Sequence, residues 1–103
     1  MLQNNSADAL LTAATVTGAG DSVRLPNGVK TFQASLAGSG SVSATVLIQV
    51  SNDGSQWLTL GTITLSGTSS ASDGFVSDET WYSHRANVSA ISGTSAAVTV
   101  TVS

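Results

Sequence analysis

The sequence predicts an all-β fold, an antiparallel β-sandwich of about seven or eight strands with a jelly-roll or immunoglobulin-like topology. Three observations lead to this prediction. Apolar and polar residues alternate with a two-residue period in several short segments, and clusters of Gly, Ser, Asn and Asp separate those segments. No segment keeps the period of about 3.6 residues that is typical of a helix. The length of 103 residues corresponds to one domain.

The central element of this prediction is a hairpin at residues 42–60. Residues 52–55, with the sequence NDGS, form its turn, because Asn and Asp bond to their own backbone and Gly accepts a positive φ. The second strand follows, with Trp57 at its start. The side chains predicted to share one face of the first strand are Val42, Ala44, Val46, Ile48 and Val50.

The whole chain is predicted to consist of an N-terminal arm, residues 1–8, and a single β-sandwich domain, residues 9–103. The arm is polar, and it is either a frayed terminus or a strand that orders on a neighbouring subunit. Its candidate partner-binding residues are Met1, Leu2, Gln3, Asn4 and Asn5. An extended segment at 9–17 is predicted next, and a turn at 18–21 leads to a short strand at 22–25. A turn at 26–28 then precedes a strand at 29–36, with Phe32, Ala34 and Leu36 on one face. A tight link at 38–40 connects this strand to the hairpin.

The chain after the hairpin is predicted to contain three further strands. A strand at 62–66 directs Ile63 and Leu65 inward, and a long polar loop follows at 67–74. Two strands, at 81–90 and 96–102, are joined by a turn at 92–95. The side chains predicted to share a face in these last two strands are Tyr82, His84, Ala86, Val88 and Ala90, then Ala96, Val98, Val100 and Val102.

The charge and composition of the chain exclude several kinds of function. Three basic residues against six acidic ones give a net charge of −3, which argues against binding to a nucleic-acid backbone. There is no cysteine, so disulfides and cysteine zinc sites are excluded. No apolar run is long enough to span a membrane, and the first residues do not resemble a secretory signal. We therefore expect synthesis in the cytoplasm.

The scarcity of charge also bears on partners. β proteins usually protect their edge strands with charges or prolines, but Lys30 is the only lysine and Pro26 the only proline. The strands at 42–50 and 96–102 carry no charge. If these strands are edges, either a loop or a partner must cover them. A partner is favoured, because a core built from small side chains gains most from burial shared with a neighbour, so we expect a homo-oligomer.

The sequence does not predict an enzyme. His84 is the only histidine, and no GxSxG pattern accompanies it, so we interpret it as a structural residue and predict no catalytic residue. Asp53, Asp73, Asp78 and Glu79 offer the oxygen ligands that calcium prefers. Their spacing fits no known calcium loop, and solvated turn acids are the simpler interpretation. No metal site and no cofactor are expected.

The aromatic residues Trp57, Trp81 and Tyr82 are the remaining candidates for partner binding. Each could stack on a sugar ring if exposed, or could anchor the core or a subunit interface, because an aromatic ring buries a large area and carries a polar atom. Arg85 could pair with Asp78 or Glu79 near one strand end, although an exposed pair would add little stability.

Two segments carry a resemblance to a known class of protein. VLIQVSNDGSQWLTLGTITL and WYSHRANVSAISGTSAAVTVTV resemble small β-sandwich proteins of bacteriophage virions, such as head-decoration (cement) proteins and related tail proteins. The resemblance implies a virion protein, assembled in the host cytoplasm, that binds the major capsid protein as a trimer or dimer and stabilises the head. The alternatives are a tail-fibre or carbohydrate-binding module, which the SNDGSxW turn also resembles, and a scaffold domain from a larger assembly.

Overall fold

A computed structural model describes residues 8–24 and 28–103, and these residues form one antiparallel β-sheet. The described residues contain no helix, so the prediction of an all-β fold is confirmed. They contain five strands, however, and not the seven or eight expected. The strands are β1 (Asp8–Ala14), β2 (Gly18–Ala19), β3 (Lys30–Ser51), β4 (Leu58–Ser77) and β5 (Ser83–Val102). Their order across the sheet is β1-β5-β3-β4, and β2 also pairs with β5.

The strand count is lower because three predicted breaks lie inside long strands. The link predicted at 38–40 is part of β3, the loop predicted at 67–74 is part of β4, and the turn predicted at 92–95 is part of β5. These segments do contain residues with positive φ, such as Gly40 and Ser69, and the register shifts beside them. Pairing continues on both sides of each irregularity, so the segments bend the sheet without reversing the chain.

The bends bring two distant parts of the sheet together. Phe32 lies near the start of β3, whereas Val50 lies near its end and pairs with His84 of β5. The rings of Phe32 and His84 nevertheless stack with their centroids 6.1 Å apart. β3 therefore bends, so that residues near its start approach residues beside its end.

A glycine of β4 makes a second close contact between residues that are distant along the strand. Gly61, which pairs with Ile48, lies against the ring of Phe75, which pairs with Phe32. A Cβ atom added at Gly61 would lie 2.5 Å from Cζ of Phe75, closer than packing allows. The absence of a side chain at position 61 is thus what admits the aromatic ring of Phe75.

The core consists of the inward faces that the two-residue period predicts, and this prediction is confirmed for most of them. The alternation holds on both sides of the bend in β3 and in the last part of β5, because side chains on a strand alternate between its two faces. The buried residues that were predicted to share these faces are Phe32, Ala34, Leu36, Val42, Ala44, Val46, Ile48, Val50, Ile63, Leu65, His84, Ala86, Val88, Ala96, Val98, Val100 and Val102.

The prediction is wrong at Tyr82, which is exposed and precedes β5, and at Ala90, which is also exposed. Val46 pairs with Val88 and Thr45 pairs with Ala90, so Ser89 has no partner of its own on β3. This bulge shifts the alternation by one residue. Ile91, and not Ala90, therefore packs against the core.

The N-terminal elements also differ from the prediction. The residues predicted as a turn at 18–21 include β2, which pairs with Val88 and Asn87 of β5. Of the short strand predicted at 22–25, Val23 alone pairs within the described residues, exchanging two backbone hydrogen bonds of 2.8 Å with His84. The predicted arm lies outside the described residues except for Asp8, which begins β1.

The edges of the sheet are not where they were expected. The uncharged segments 42–50 and 96–102 belong to β3 and β5, and each of these strands has neighbours on both sides. β4 forms one edge, and among the described residues it pairs with β3 alone. β4 has 20 residues and one charge, Asp73. The opposite edge, β1, has seven residues and two register shifts.

Candidate functional site

The first candidate site is a cluster of polar side chains around Trp57, on the outer face of the sheet. Arg85 and Asn87 alternate with the buried residues of β5, so both project away from the core. The register places Gln49 of β3 beside Arg85. Nε of Arg85 donates a 2.8 Å hydrogen bond to Oε1 of Gln49, and Nδ2 of Asn87 lies 3.5 Å from the same oxygen. The guanidinium carbon of Arg85 lies 4.2 Å from the centroid of the Trp57 ring, a cation–π contact.

The turn between β3 and β4 holds Trp57 in this position. Oδ1 of Asp53 accepts hydrogen bonds from the backbone N–H groups of Ser55 and Gln56, at 2.8 and 2.9 Å, and from the hydroxyl of Ser51 at 2.9 Å. The N–H groups of Gln56 and Ser55 lower the pKa of the Asp53 carboxyl, because they stabilise its charged form. Asp53 is therefore an organising residue of the turn that positions Trp57.

Tyr82 and Trp81 lie at the same end of the sheet, directly before β5. Tyr82 is exposed; its backbone N–H donates a 3.0 Å hydrogen bond to Oδ1 of Asn52, and the guanidinium carbon of Arg24 lies 4.4 Å from its ring centroid. Trp81 is half-buried, and its Nε1 donates a 2.8 Å hydrogen bond to Oε1 of Glu79. The three aromatic residues singled out in the sequence thus share one end of the fold, but each has its own polar partner.

These contacts limit what the aromatic rings can bind. Guanidinium groups cover one face of Trp57 and one face of Tyr82, so neither ring is open on both faces. Trp81 borders an open recess at the surface. The recess is lined by Asn52, Asp78, Glu79, Thr80 and Trp81.

The pairing of Arg85 with Asp78 or Glu79 that the sequence suggested is not what the structure shows. Arg85 instead contacts Trp57 and Gln49. The reason is the register of β5 on β3, which places Gln49 directly beside Arg85. Glu79 bonds to the indole of Trp81.

His84 is buried in the core, as a structural histidine is expected to be. Its ring stacks on Phe32, and both ring nitrogens are buried without a hydrogen-bond partner in the described part of the chain. Burial lowers the pKa of His84, and the positive charge of Lys30 lowers it further. Lys30 is itself buried, and its Nζ donates a 2.8 Å hydrogen bond to the carbonyl oxygen of Gly28.

The second candidate site is the edge of β4 that has no neighbouring strand among residues 8–24 and 28–103. Two large apolar side chains on this strand remain exposed, Leu58 at its start and Val76 near its end. Three further side chains on its outer face, Thr62, Thr64 and Ser66, are also exposed. A strand edge of this kind offers unpaired backbone N–H and C=O groups to an added strand.

The described residues contain neither a metal-binding cluster nor a membrane-spanning helix. Among residues 8–24 and 28–103 there is no group of three or more His, Asp or Glu side chains that could hold a metal ion. The same residues include no helix that is long and apolar enough to cross a membrane.

Comparisons with known proteins gave no matching family model and no significant match among curated proteins or solved structures.

Sequence reasoning identified part of this arrangement. Trp57, Trp81 and Tyr82 were singled out and do come to one end of the sheet, whereas Met1, Leu2, Gln3, Asn4 and Asn5 lie outside the described residues. The contributions of Gln49 and Arg24 were missed. Each acts through a partner that is distant in the sequence, so no local pattern could have revealed it.

Proposed function

We propose that this chain is a non-enzymatic structural protein of a bacteriophage virion, which binds the outside of the capsid and stabilises the head. The observation that supports the proposal is the edge of β4. It is 20 residues long and carries one charge, with no lysine and no proline. Natural β proteins use such residues to prevent unwanted pairing, and their absence favours a strand that pairs within an assembly.

The proposed partners are the major capsid protein and further copies of this chain, as a dimer or trimer. An added strand would satisfy the free backbone groups along β4 and would cover the exposed side chains of Leu58 and Val76. Because many copies would attach to one lattice, modest contacts at each copy would still give firm attachment.

The contrast between the two edges supports a closed assembly. β1 has seven residues against the 20 of β4, and this length is the difference between the edges, since each has two register shifts and one non-glycine residue with a positive φ, Ala13 in β1 and Ser69 in β4. Short edges resist strand addition. Two copies joined through β4 would leave only the short strands β1 and β2 at the opposite side, so this association would form a closed dimer and not a filament; a trimer would need a further contact, such as the arm of residues 1–8 on a neighbouring subunit.

The fold that we propose for this assembly unit is a β-sandwich made from one bent sheet. The stacking of Phe32 on His84 and the contact of Gly61 with Phe75 support two layers that share the long strands β3, β4 and β5. This arrangement is closer to orthogonal packing, in which strands pass from one layer to the other at bends, than to two separate sheets.

Binding to purified, undecorated heads tests the proposed function. The protein is mixed with such heads, the heads are sedimented, and bound copies are counted. The variant Thr64→Lys adds a charge to the edge strand, and we expect it to lower head occupancy at an unchanged melting temperature. Ser43→Lys is the matched control, because Ser43 is also exposed but lies on β3, between Ser66 and Ser92. Failure of the unaltered protein to bind heads would refute the proposal.

A second candidate function is a carbohydrate-binding or tail-fibre module, and the recess beside Trp81 favours it. The recess combines a half-buried indole with polar side chains from Asn52, Asp78, Glu79 and Thr80, a combination that suits sugar hydroxyls. A glycan array separates the two functions. A specific glycan that is bound by the unaltered protein and lost in Trp81→Ala, without binding to heads, would establish the second.

A further inference from the structure

We propose that the guanidinium of Arg85, held between Trp57 and Gln49, is a binding site for a carboxylate side chain of a partner protein. The proposal concerns a surface separate from the edge of β4. It does not depend on whether the partner is a capsid protein. The proposed ligand is the carboxylate of an Asp or Glu side chain on the surface of the partner protein.

The guanidinium is held in one orientation before any ligand binds. Its carbon lies 4.2 Å from the ring centroid of Trp57, and its Nε donates the 2.8 Å hydrogen bond to Gln49. Within the described part of the chain, its two terminal nitrogens make no hydrogen bond and no ion pair with a carboxylate. A fixed guanidinium with both terminal nitrogens available matches the two oxygens of a carboxylate.

Gln49 extends the set of donors at this site. Its Oε1 accepts hydrogen bonds from Arg85 and Asn87, which orients the amide and leaves its Nε2 as a further donor. Arg85, Gln49 and Asn87 are all half-buried, so the side chains lose little freedom when a ligand binds.

Among the described residues, the acidic side chains at this end of the sheet form no ion pair with Arg85. Asp53 uses Oδ1 to accept hydrogen bonds within its own turn, and Glu79 bonds to Trp81. Arg85 therefore has no ion-pair partner among the described residues, although the whole chain has a net charge of −3. An acidic group from another molecule would complete this pair.

A protein carboxylate fits the site better than an acidic sugar does. A sugar ring would have to stack on the face of Trp57 that Arg85 does not cover, on a ring that is half-buried. A single carboxylate needs only the edge of the guanidinium. We therefore assign the site to an Asp or Glu side chain, and binding of an acidic sugar is an outcome that the test must separate.

Nuclear magnetic resonance titration of the full chain tests the assignment directly. The signals of the Arg85 Nε–H and the Trp57 indole N–H are followed at constant ionic strength, with four ligands: a short blocked peptide containing Glu, the same peptide with Gln, glucuronate and glucose. We expect a saturable shift with the Glu peptide, and none with the Gln peptide or with glucose. No saturable shift, or equal shifts with the Glu and Gln peptides, would overturn the proposal.

Variants locate the site and control for folding. Arg85→Lys keeps the positive charge but cannot donate a bidentate pair of hydrogen bonds to a carboxylate. We therefore expect about fivefold weaker binding of the Glu peptide. Arg24→Gln is the matched control, because it removes the other arginine that stacks on an aromatic ring, and its binding should equal that of the unaltered chain. A shift with glucuronate but not with the Glu peptide would overturn the assignment to a protein ligand. The titration needs no heads, so its result is independent of the head-binding assay.

Discussion

The imidazole of His84 lies against the ring of Phe32, with 6.1 Å between centroids and 26° between the ring planes. This contact joins the start of β3 to the start of β5 and closes one end of the core. It places the one histidine of the chain in a fully buried position, where neither ring nitrogen has a hydrogen-bond partner among the described residues. The stability of the fold should therefore depend on the protonation of this ring.

The first prediction concerns pH. Because burial and then Lys30 lower the pKa of His84 below 6.5, the unfolded chain binds more protons than the folded chain just below that pH. The free energy of unfolding should thus be at its plateau above 6.5 and should fall as the pH drops toward the folded pKa. Urea unfolding at about pH 7.5 and about pH 5 measures the difference.

The variant His84→Leu is the control for this prediction. It should remove the loss of stability between those two pH values. At neutral pH it should be at least as stable as the unaltered chain, because an unsatisfied buried polar group costs about 1–3 kcal/mol. If the variant and the unaltered chain lose equal stability on acidification, His84 is not the group responsible.

The second prediction concerns the core at Ile48. This side chain is fully buried in β3, so Ile48→Ala should lower the free energy of unfolding by about 2–5 kcal/mol through the cavity that it leaves. Leu58→Ala is the control, because Leu58 is 54% exposed and its truncation should cost much less. Chemical denaturation of both variants gives the comparison. Equal losses would contradict the observed burial.

The third prediction concerns the close approach of Gly61 and Phe75. Gly61→Ala places a methyl group against the ring of Phe75 and should destabilise the fold by about 1–3 kcal/mol. The double variant Gly61→Ala/Phe75→Leu should lose less than the sum of its two single variants, because the smaller side chain relieves the clash. Additive losses in a double-mutant cycle would show that the two positions are not in contact.

The fourth prediction concerns the N-terminal arm. We expect deletion of residues 1–8 to leave the melting temperature nearly unchanged, because only Asp8 of this segment pairs within the described sheet. We expect the same deletion to weaken attachment to heads, since the arm is a candidate for strand addition on a neighbouring subunit. Equal head occupancy by the truncated and full-length chains would reject a binding role for the arm.

The candidate site shows how far sequence reasoning reaches. Trp57, Trp81 and Tyr82 could be singled out from the sequence, because large aromatic residues are few in this chain. Their partners could not. The contact of Arg85 with Gln49 depends on the register between β5 and β3, and the contact of Arg24 with Tyr82 depends on the short pairing of Val23 with His84.

The sequence by itself determined the all-β class, the central hairpin and nearly every inward face, because the two-residue period of a strand is a local property of the chain. The tertiary structure decided whether the Gly- and Ser-rich segments at 38–40, 67–74 and 92–95 reverse the chain or bend it. It also decided that β4, and not β3 or β5, forms an edge of the sheet within the described part of the chain. The physical reason is that Gly and Ser permit both a turn and a bent strand. The choice between them depends on whether a neighbouring strand continues the pairing, which is a property of the whole sheet.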